Sequence, residues 1–448
     1  MAFWRALQVF GVIRILVLGY AVITLIFAGL LTLPIASSER VSQPFIDALF
    51  VATSGISTTG LTVVDVGSFY SLFGQIVLLV NFQVGGIGYM AFYILLAYVI
   101  TGRLSLTAQL VGKESVTGAG LRDFTSFFVL LLIFTFSIEF IGAAILSVYW
   151  AHEFPLPRAI YLGIFHSVSA FCTAGFALFP DSLMSYQDSV TVNLVVDILS
   201  ILGGIGFYVF YDIYNLSKKA IKRERPNRLS EHSKLAMLVT IILLFIGTGV
   251  ILISEEWPPS TIIGNRLLIS SFQAISASTT DGFNTVVIGE MSHTSLFMII
   301  ILTLIGASPG GTAGGIKTTT LGIMFATILS LLRGQSEVNV FKKRIPDATI
   351  ERSFMIFLLF VLILTIDMLV LATTEKASFL PVLFEISSAL GNTGLSTGIT
   401  PNLSIVGKIF LIFTMFIGRV GPATIAFAVF GKTKPMPFKY PKGEVFVG

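Results

Sequence analysis

The chain has 448 residues, 54% of them hydrophobic and only 12% charged, with a mean hydropathy of +0.90. A soluble domain carries about a quarter charged residues; 28 Lys and Arg with 24 Asp and Glu cannot give 448 residues a polar skin, which argues against a soluble enzyme, a nucleic-acid binder or a disordered scaffold. One cysteine, Cys172, excludes intramolecular disulfides and multi-cysteine metal sites, and a pI near 9.0 fits basic loops at a lipid surface.

In chain order, the first element is the uncharged run 15–33, 19 residues long. A membrane-spanning helix needs about 20 apolar residues, and the spans that follow favour a retained span over a cleaved leader. Further long apolar stretches lie near 71–101, 124–150, 189–216, 235–254, 295–330, 353–373 and 403–430, giving eight. Within each successive pair sits a shorter, half-apolar stretch, near 44–54, 159–170, 265–278 and 380–390. Their length suits re-entrant helices better than spans. Arg5 and Arg14, then Arg103, Lys113 and Arg122, then seven basic residues in 217–234, then Arg333, Lys342, Lys343, Arg344 and Arg352, and finally Lys432, Lys434, Lys439 and Lys442 fall on one side. The other side holds only Arg40, Arg158, Arg266 and Lys376. Positive loops stay in the cytoplasm. Both termini are therefore expected there, in a multi-pass protein of the cell membrane whose short helices enter from outside.

The chain repeats. Aligned on Gly60, Gly175, Gly282 and Gly394, spaced 115, 107 and 112 residues apart, four windows agree. Ten residues earlier stand Phe50, Phe165, Phe272 and Phe384; six earlier, Ser54, Ser169, Ser276 and Ser388; one later, Leu61, Phe176, Phe283 and Leu395. The expected architecture is all-α: eight transmembrane helices in four units of span, short helix, glycine turn and span around one central pore. The units divide at 1–102, 103–217, 218–333 and 334–431, with a cytoplasmic tail at 432–448.

A short helix that stops inside the membrane leaves its last carbonyls unpaired, and such backbone survives only within protein or along a water-filled path. Four extended turns around an axis present a ring of carbonyl oxygens able to replace the hydration shell of an alkali cation. The helix dipoles favour the same charge. The candidate ion-binding residues are Thr58, Thr59 and Gly60; Thr173, Ala174 and Gly175; Thr280, Asp281 and Gly282; and Asn392, Thr393 and Gly394. The residue before each glycine varies, as expected if the backbone binds the ion. Asp281 adds a negative charge near the mouth or serves as a packing carboxylate.

With these four turns the chain resembles the Trk/Ktr/HKT superfamily of potassium transporters, most closely its Ktr-type membrane subunit, over essentially its whole length. In that family four glycines accompany potassium preference, and a serine at the first accompanies sodium transport in some plant members; Gly60 implies potassium. The turns differ from the TVGYG of tetrameric potassium channels.

Below the turns, the stretch 306–320 has five glycines and one proline. No ordinary helix passes Pro309, Gly310 and Gly311, so the segment should be irregular and line the pore. In the resembling family this is a gating loop, here 306–318, which nominates Gly306, Gly310, Gly311, Gly314, Gly315 and Lys317. It is no nucleotide P-loop, because Ile316 separates Gly315 from Lys317. Arg419 lies inside the last span, 25 residues after Gly394. A charge at that depth needs water or a partner. The family carries an arginine there as part of the gate, and the alternative is a salt bridge to Asp197, Asp367 or Glu139. The clusters Gly85, Gly86, Gly88 and Gly203, Gly204, Gly206 suit close helix packing or water access. His166 and Glu385, each nine residues before its glycine, suit hydrogen bonds that steady the turns; His152, His166, His232 and His293 lack metal-ligand spacing.

The sequence shows no nucleophile–base or metal set, so an enzyme is not expected, nor any cofactor in this chain. The resemblance implies a homodimer of the membrane subunit and a cytosolic ring of nucleotide-binding RCK/KTN subunits. It leaves transported potassium as the ion, with sodium a modulator, and no nucleic acid. The rival is a substrate-coupled secondary transporter with broken helices, whose repeats are usually inverted.

Overall fold

The computed structural model describes residues 2–88, 124–221 and 228–430. One order of elements recurs four times. A long helix (Ala2–Thr32, Phe124–Trp150, Glu231–Ser254, Asp347–Thr374) leads to a short helix (Phe45–Ile56, Leu156–Phe171, Ile263–Thr279, Phe379–Gly391). An extended turn follows, then an inner helix (Leu72–Ile87, Val190–Gly204, His293–Leu304, Ile405–Val420). The first two short helices begin directly after Pro44 and Pro155. Every inner helix begins at a serine whose hydroxyl accepts a backbone N–H of the first turn: Ser71 from Gly74, Ser189 from Val192, Ser292 from Ser295 and Ser404 from Gly407. Such a cap contributes about 1 kcal/mol.

Three described helices are by themselves long and apolar enough to cross a membrane: Phe128–Trp150, Glu231–Ser254 and Asp347–Thr374. The expected spans near 189–216 and 403–430 are not single rods. Val190–Gly204 meets Phe207–Ile221 at 91°, and Ile405–Val420 meets a helix beginning at Pro422 at 95°. The break falls at glycine: Gly206 (φ +97°) and Gly421 (φ +89°) hold backbone conformations that a side chain disfavours. The stretch near 295–330 is two helices, His293–Leu304 and Thr318–Leu332, separated by irregular backbone as expected. The second half of the 71–101 stretch, the boundary at 102, the loop with Arg103, Lys113 and Arg122, the residues Lys222, Arg223 and Arg225, and the tail 432–448 lie outside the described residues. The all-α expectation needs one correction: a hairpin pairs Asn339–Val340 with Lys343–Arg344. Phe341 and Lys342 supply the two positive φ angles, +49° and +65°, of a tight hairpin turn.

Each short helix packs between the long and inner helices of its own unit and also against the inner helix of the preceding unit. The fourth inner helix packs on the first short helix, Phe45–Ile56, so the series closes into a ring. An ion pair, Lys408 Nζ to Asp47 Oδ1 at 2.6 Å, spans that closure. The distribution of polarity is inverted relative to a water-soluble protein. Phe140, Phe245, Ile253 and Leu369 are exposed on the long helices, whereas Ser54, Ser169, Thr173, Thr280 and Ser388 are fully buried. Apolar side chains facing lipid gain little by meeting one another, so close backbone approach has to hold the helices together. Gly85, Gly203 and Gly418 provide it: a Cβ on any of them would strike the carbonyl of Ile56, Phe171 or Leu390, at the end of the short helix of the same unit.

Candidate functional site

The four aligned glycines meet at the centre of the ring. Their φ angles are +94° at Gly60, +64° at Gly175, +93° at Gly282 and +90° at Gly394. Two residues earlier, Thr58, Thr173, Thr280 and Asn392 are left-handed too, with φ between +50° and +57°. The same two bonds close each short helix. The N–H of the left-handed residue donates three residues back, and the next N–H donates to the carbonyl of the aligned serine: Thr59 to Ser54 at 2.7 Å, Ala174 to Ser169 at 2.8 Å, Asp281 to Ser276 at 2.9 Å and Thr393 to Ser388 at 2.8 Å. The fully buried phenylalanine column, Phe50, Phe165, Phe272 and Phe384, packs behind them.

The turns interlock in sequence. A Cβ on Gly60 would stand 2.6 Å from the carbonyl oxygen of Ala174. On Gly175 it would strike the carbonyl of Asp281, on Gly282 that of Thr393, and on Gly394 that of Thr59. Each glycine is thus packed against the carbonyl that precedes the glycine of the next unit, and the fourth returns to the first. The Cα atoms of these glycines form part of one floor, above which lies a cavity of about 430 Å³ lined by Gly60, Gly175, Gly282, Gly394, Asp65 and Asn284. The geometry brings all twelve sequence-predicted turn residues to this floor or directly behind it.

Asp281 does not present its carboxylate to that cavity. It is 1% exposed and its Oδ2 accepts from Ser200 Oγ at 2.7 Å, in the second inner helix. The acidic residue in the cavity lining is Asp65, which also caps a short turn of helix by accepting the N–H groups of Gly67 and Ser68. His166 and Glu385 act as read from their position. His166 Nε2 accepts the Leu178 N–H at 3.2 Å, and Glu385 accepts from Ser396 Oγ, from the Thr397 N–H at 3.1 Å and from Thr400 Oγ1 at 2.8 Å. Gln273 is a third member of this column that sequence reading missed; its Nε2 donates to Thr285 Oγ1 at 2.9 Å. The register nine residues before the glycine could have found it.

On the other side of the floor, residues 305–317 are irregular and cross beneath the turns. Thr312 is the hub. Its carbonyl accepts from Thr58 Oγ1 at 3.0 Å and from Arg419 Nη1, and its own hydroxyl meets Thr173 Oγ1 at 3.0 Å. Arg419 Nη2 donates to the Gly85 carbonyl. Arg419 therefore bridges the fourth, third and first units through main-chain oxygens, not through Asp197, Asp367 or Glu139. Asp367 instead accepts from Thr414 at 2.7 Å and Glu139 from Gln83 at 3.0 Å. Lys317 Nζ folds back on the carbonyls of Ala313 (2.7 Å) and Gly314 (3.0 Å). Gly306 packs against Gly314 and Gly315, and Gly311 against the carbonyls of Gly203 and Gly204. Gly310 (φ +74°) accepts the Phe207 N–H at 3.0 Å. Asn392 Nδ2 ties the layers together, donating to Thr59 Oγ1 at 2.9 Å and to the Met415 carbonyl at 2.8 Å.

The glycine clusters divide their work. Gly85, Gly86 and Gly203 are packing positions, closed off by Ile56, Cys172 and Phe171, whereas Gly88 (φ +88°) caps the end of the first inner helix and Gly206 lies at the bend of the second. With Gly310 and Gly421, the inner segments of all four units reach a positive-φ glycine 27 to 31 residues after the aligned glycine. That spacing was available in the sequence and only the third was read as a break. Among the described residues no group of three or more His, Cys, Asp or Glu side chains is placed to hold a metal ion.

Comparison with known proteins gives a family, three relatives and one solved structure. The TrkH family, described as cation transport protein, matches residues 13–435. The chain is 36% identical to the Ktr system potassium uptake protein B of Bacillus subtilis over 97% of its own length and 96% of that protein. It is 37% identical to the Ktr system potassium uptake protein B of Vibrio alginolyticus, covering 97% and 94% of the two chains. It is 34% identical to the potassium/sodium uptake protein NtpJ of Enterococcus hirae, covering 97% of each chain. Its fold is similar to the crystal structure of the potassium transporter TrkH from Vibrio parahaemolyticus, with a TM-score of 0.68 at 18% identity over 92% of this chain and 85% of that one.

Proposed function

The chain belongs to the TrkH family of cation transport proteins, and from that premise we propose that it takes up potassium through a pore at the centre of its four units. At the coarser level it is a multi-pass membrane transporter of the Ktr/Trk type and not an enzyme. The observation that carries the finer reading is the closed ring in which each of Gly60, Gly175, Gly282 and Gly394 stands against the carbonyl preceding the next. A cation on that axis is desolvated by main-chain oxygens held at fixed separation, and the same fixed ring discriminates between alkali ions through the number and geometry of its carbonyls. The filter residues are Thr58 to Gly60, Thr173 to Gly175, Thr280 to Gly282 and Asn392 to Gly394. Asp65 and the cavity above the floor collect the ion, because one carboxylate in a low-dielectric funnel raises the local cation concentration.

The gate is the segment 306–318, irregular as far as Lys317, with Arg419. The hydrogen bonds of Arg419 to the Thr312 and Gly85 carbonyls support this reading, in which the positive charge below the filter opposes a cation and the loop occupies the path. Opening requires the Thr312 carbonyl to release Arg419 and Thr58. The four units extend over 1–102, 103–217, 218–333 and 334–431, each contributing two spans, with both termini in the cytoplasm. The word "system" in the relatives' names fits a partner subunit; a cytosolic nucleotide-binding RCK-type ring on the basic face, a homodimer of this chain, and sodium as modulator complete the reading.

The deciding experiment is growth of a potassium-auxotrophic host at limiting potassium, paired with ⁸⁶Rb⁺ and ²²Na⁺ flux in vesicles for the wild type and Gly60→Ser. Rescue, with a potassium preference that weakens in the variant, is the expected result. Absence of rescue, or ion ratios unaltered by Gly60→Ser, contradicts it.

A further inference from the structure

The helix Phe207–Ile221 leaves the second inner helix at 91° and carries features that the transport path does not use. Its inward side is fixed at three places. The Phe207 N–H donates to the Gly310 carbonyl, in the irregular segment. Asp212 Oδ2 accepts the Ser230 N–H at 3.0 Å and the Ser233 hydroxyl at 2.7 Å, at the start of the third long helix. Tyr208 stands edge-on to His232, with ring centroids 5.4 Å apart. Its outward side is apolar and open: Ile213 is 41% exposed and Tyr214 44%.

Between this helix and the second long helix, Phe124–Trp150, runs a groove of about 220 Å³. Leu130, Leu131 and Phe134 form one wall, and Phe207, Phe210 and Tyr214 line the other. The Phe134 and Phe210 rings meet across its floor with centroids 3.9 Å apart. Among the described residues the groove faces outward, beside side chains that the rest of the surface presents to lipid, and almost no polar atom enters it. Its mouth is charged. Lys218 Nζ lies 5.8 Å from the centre of the Tyr214 ring, and Lys219 follows in the last turn of the helix. Tyr208, Tyr211 and Tyr214 are the residue type that settles at the membrane–water boundary. An apolar slot continuous with the bilayer, with the Lys218 ammonium at its end and a second lysine in the same helix turn, matches one occupant in charge and in polarity: an acyl chain whose headgroup is anionic.

We propose that the groove between Phe124–Trp150 and Phe207–Ile221 binds an anionic phospholipid, its acyl chain along Phe134 and Phe210 and its phosphate at Lys218 and Lys219. The site rests on reading the chain as membrane-embedded. It reaches the transport path through one hydrogen bond, because the groove wall and the donor to Gly310 belong to the same residue, Phe207. Occupancy holds the helix in the place described here, which is also the place in which the segment 305–317 and Arg419 cross below the turns. The lipid therefore favours the non-conducting arrangement.

The test uses the full-length protein, as wild type, as Lys218→Ala/Lys219→Ala, and as Leu131→Trp, which fills the groove without touching its charge. Native mass spectrometry after exchange into phosphatidylglycerol or phosphatidylcholine should show one or more retained phosphatidylglycerol molecules per chain, reduced at least threefold in both variants. Potassium flux in vesicles should fall about threefold when phosphatidylglycerol replaces a fifth of the phosphatidylcholine, and both variants should lose that fall while keeping the wild-type rate in pure phosphatidylcholine. Equal retention in wild type and variants overturns the proposal, as does a phosphatidylglycerol effect on flux that survives both variants or has the opposite sign. The binding measurement does not depend on transport, so a protein that retains the lipid but moves no potassium refutes the function proposed above and leaves the site standing.

Discussion

The layer of the four turns and the layer directly beneath it are built on opposite plans. The upper layer repeats: four left-handed residues, four positive-φ glycines and four identical backbone closures, with main-chain atoms facing the axis. The lower layer begins with a repeat, a glycine break in every inner segment, and then abandons it. Among the described residues, only the third unit has thirteen irregular residues there, 305–317, and only the fourth supplies an arginine. On the function proposed above, a ring that strips water from a small cation evenly has reason to be symmetric. A device that must change state has reason not to be, because a single movable segment held by few bonds switches at lower cost than four moving together. The hydrogen bonds of the lower layer fit that division. Thr312 accepts or donates to Thr58, Thr173 and Arg419, so one residue of the third unit ties the first two turns to the arginine of the fourth.

The comparison breaks most sharply at a glycine of the upper layer. Gly394→Ala places a methyl against the Thr59 carbonyl at a φ of +90°. The left-handed conformation alone costs a side chain about 1–2 kcal/mol, and displacement of a filter carbonyl adds to it. Potassium uptake should fall by about 100-fold, equivalent to about 2.7 kcal/mol, with the protein still inserted in the membrane; near-normal uptake would show that the ring is not the selective element. In the lower layer the sign reverses. Arg419→Ala removes the charge below the turns and frees the Thr312 and Gly85 carbonyls, and ⁸⁶Rb⁺ efflux from vesicles should rise about tenfold, the loss of ~1.4 kcal/mol of barrier. An unchanged or lower rate would assign Arg419 a structural role only.

Two smaller effects sharpen the picture within the upper layer. Glu385→Ala removes the acceptor for Ser396, Thr397 and Thr400 on the outward limb of the fourth turn. Each such hydrogen bond contributes about 0.5–1.5 kcal/mol, and the midpoint of thermal unfolding in detergent should drop by several degrees together with a loss of ion preference; loss of neither would mean that the limb is braced by other groups. The aligned serines give the finest comparison. Ser276 and Ser388 each accept the N–H of their own aligned glycine, at 3.1 and 2.9 Å. The hydroxyls of Ser54 and Ser169 are buried without a hydrogen-bond partner. Ser388→Ala should therefore cost about 1 kcal/mol and Ser54→Ala close to nothing, measured by the same thermal assay. Equal costs would mean that the serine column serves packing alone.

Much of this was legible before any coordinates. Four glycine windows with matching Phe, Ser and Leu/Phe columns announced a fourfold unit, because the backbone geometry of a turn inside a membrane admits few residue types at fixed offsets. The proline and glycines of 306–320 announced a break, because no helix accommodates them. The bends at Gly206 and Gly421 escaped because an apolar run reads the same whether its axis is straight or turned through a right angle. The position of Asp281 escaped for a related reason. Its offset from the aligned glycine fixed its backbone at the ring but left open where its carboxylate points, and Ser200, 81 residues earlier in the chain, decided that.

The sequence by itself determined the number of units, their order and the places where glycine is required, since these follow from local periodicity and from the φ angles that individual residues tolerate. Only the tertiary structure decided which unit neighbours which around the ring, that each glycine faces the carbonyl of the next, and that Arg419 is satisfied by main-chain oxygens of two other units. Those relations are contacts between segments about 100 to more than 300 residues apart. No local preference encodes them; they exist because each buried helix end must find a partner for its polar groups in a solvent that offers none.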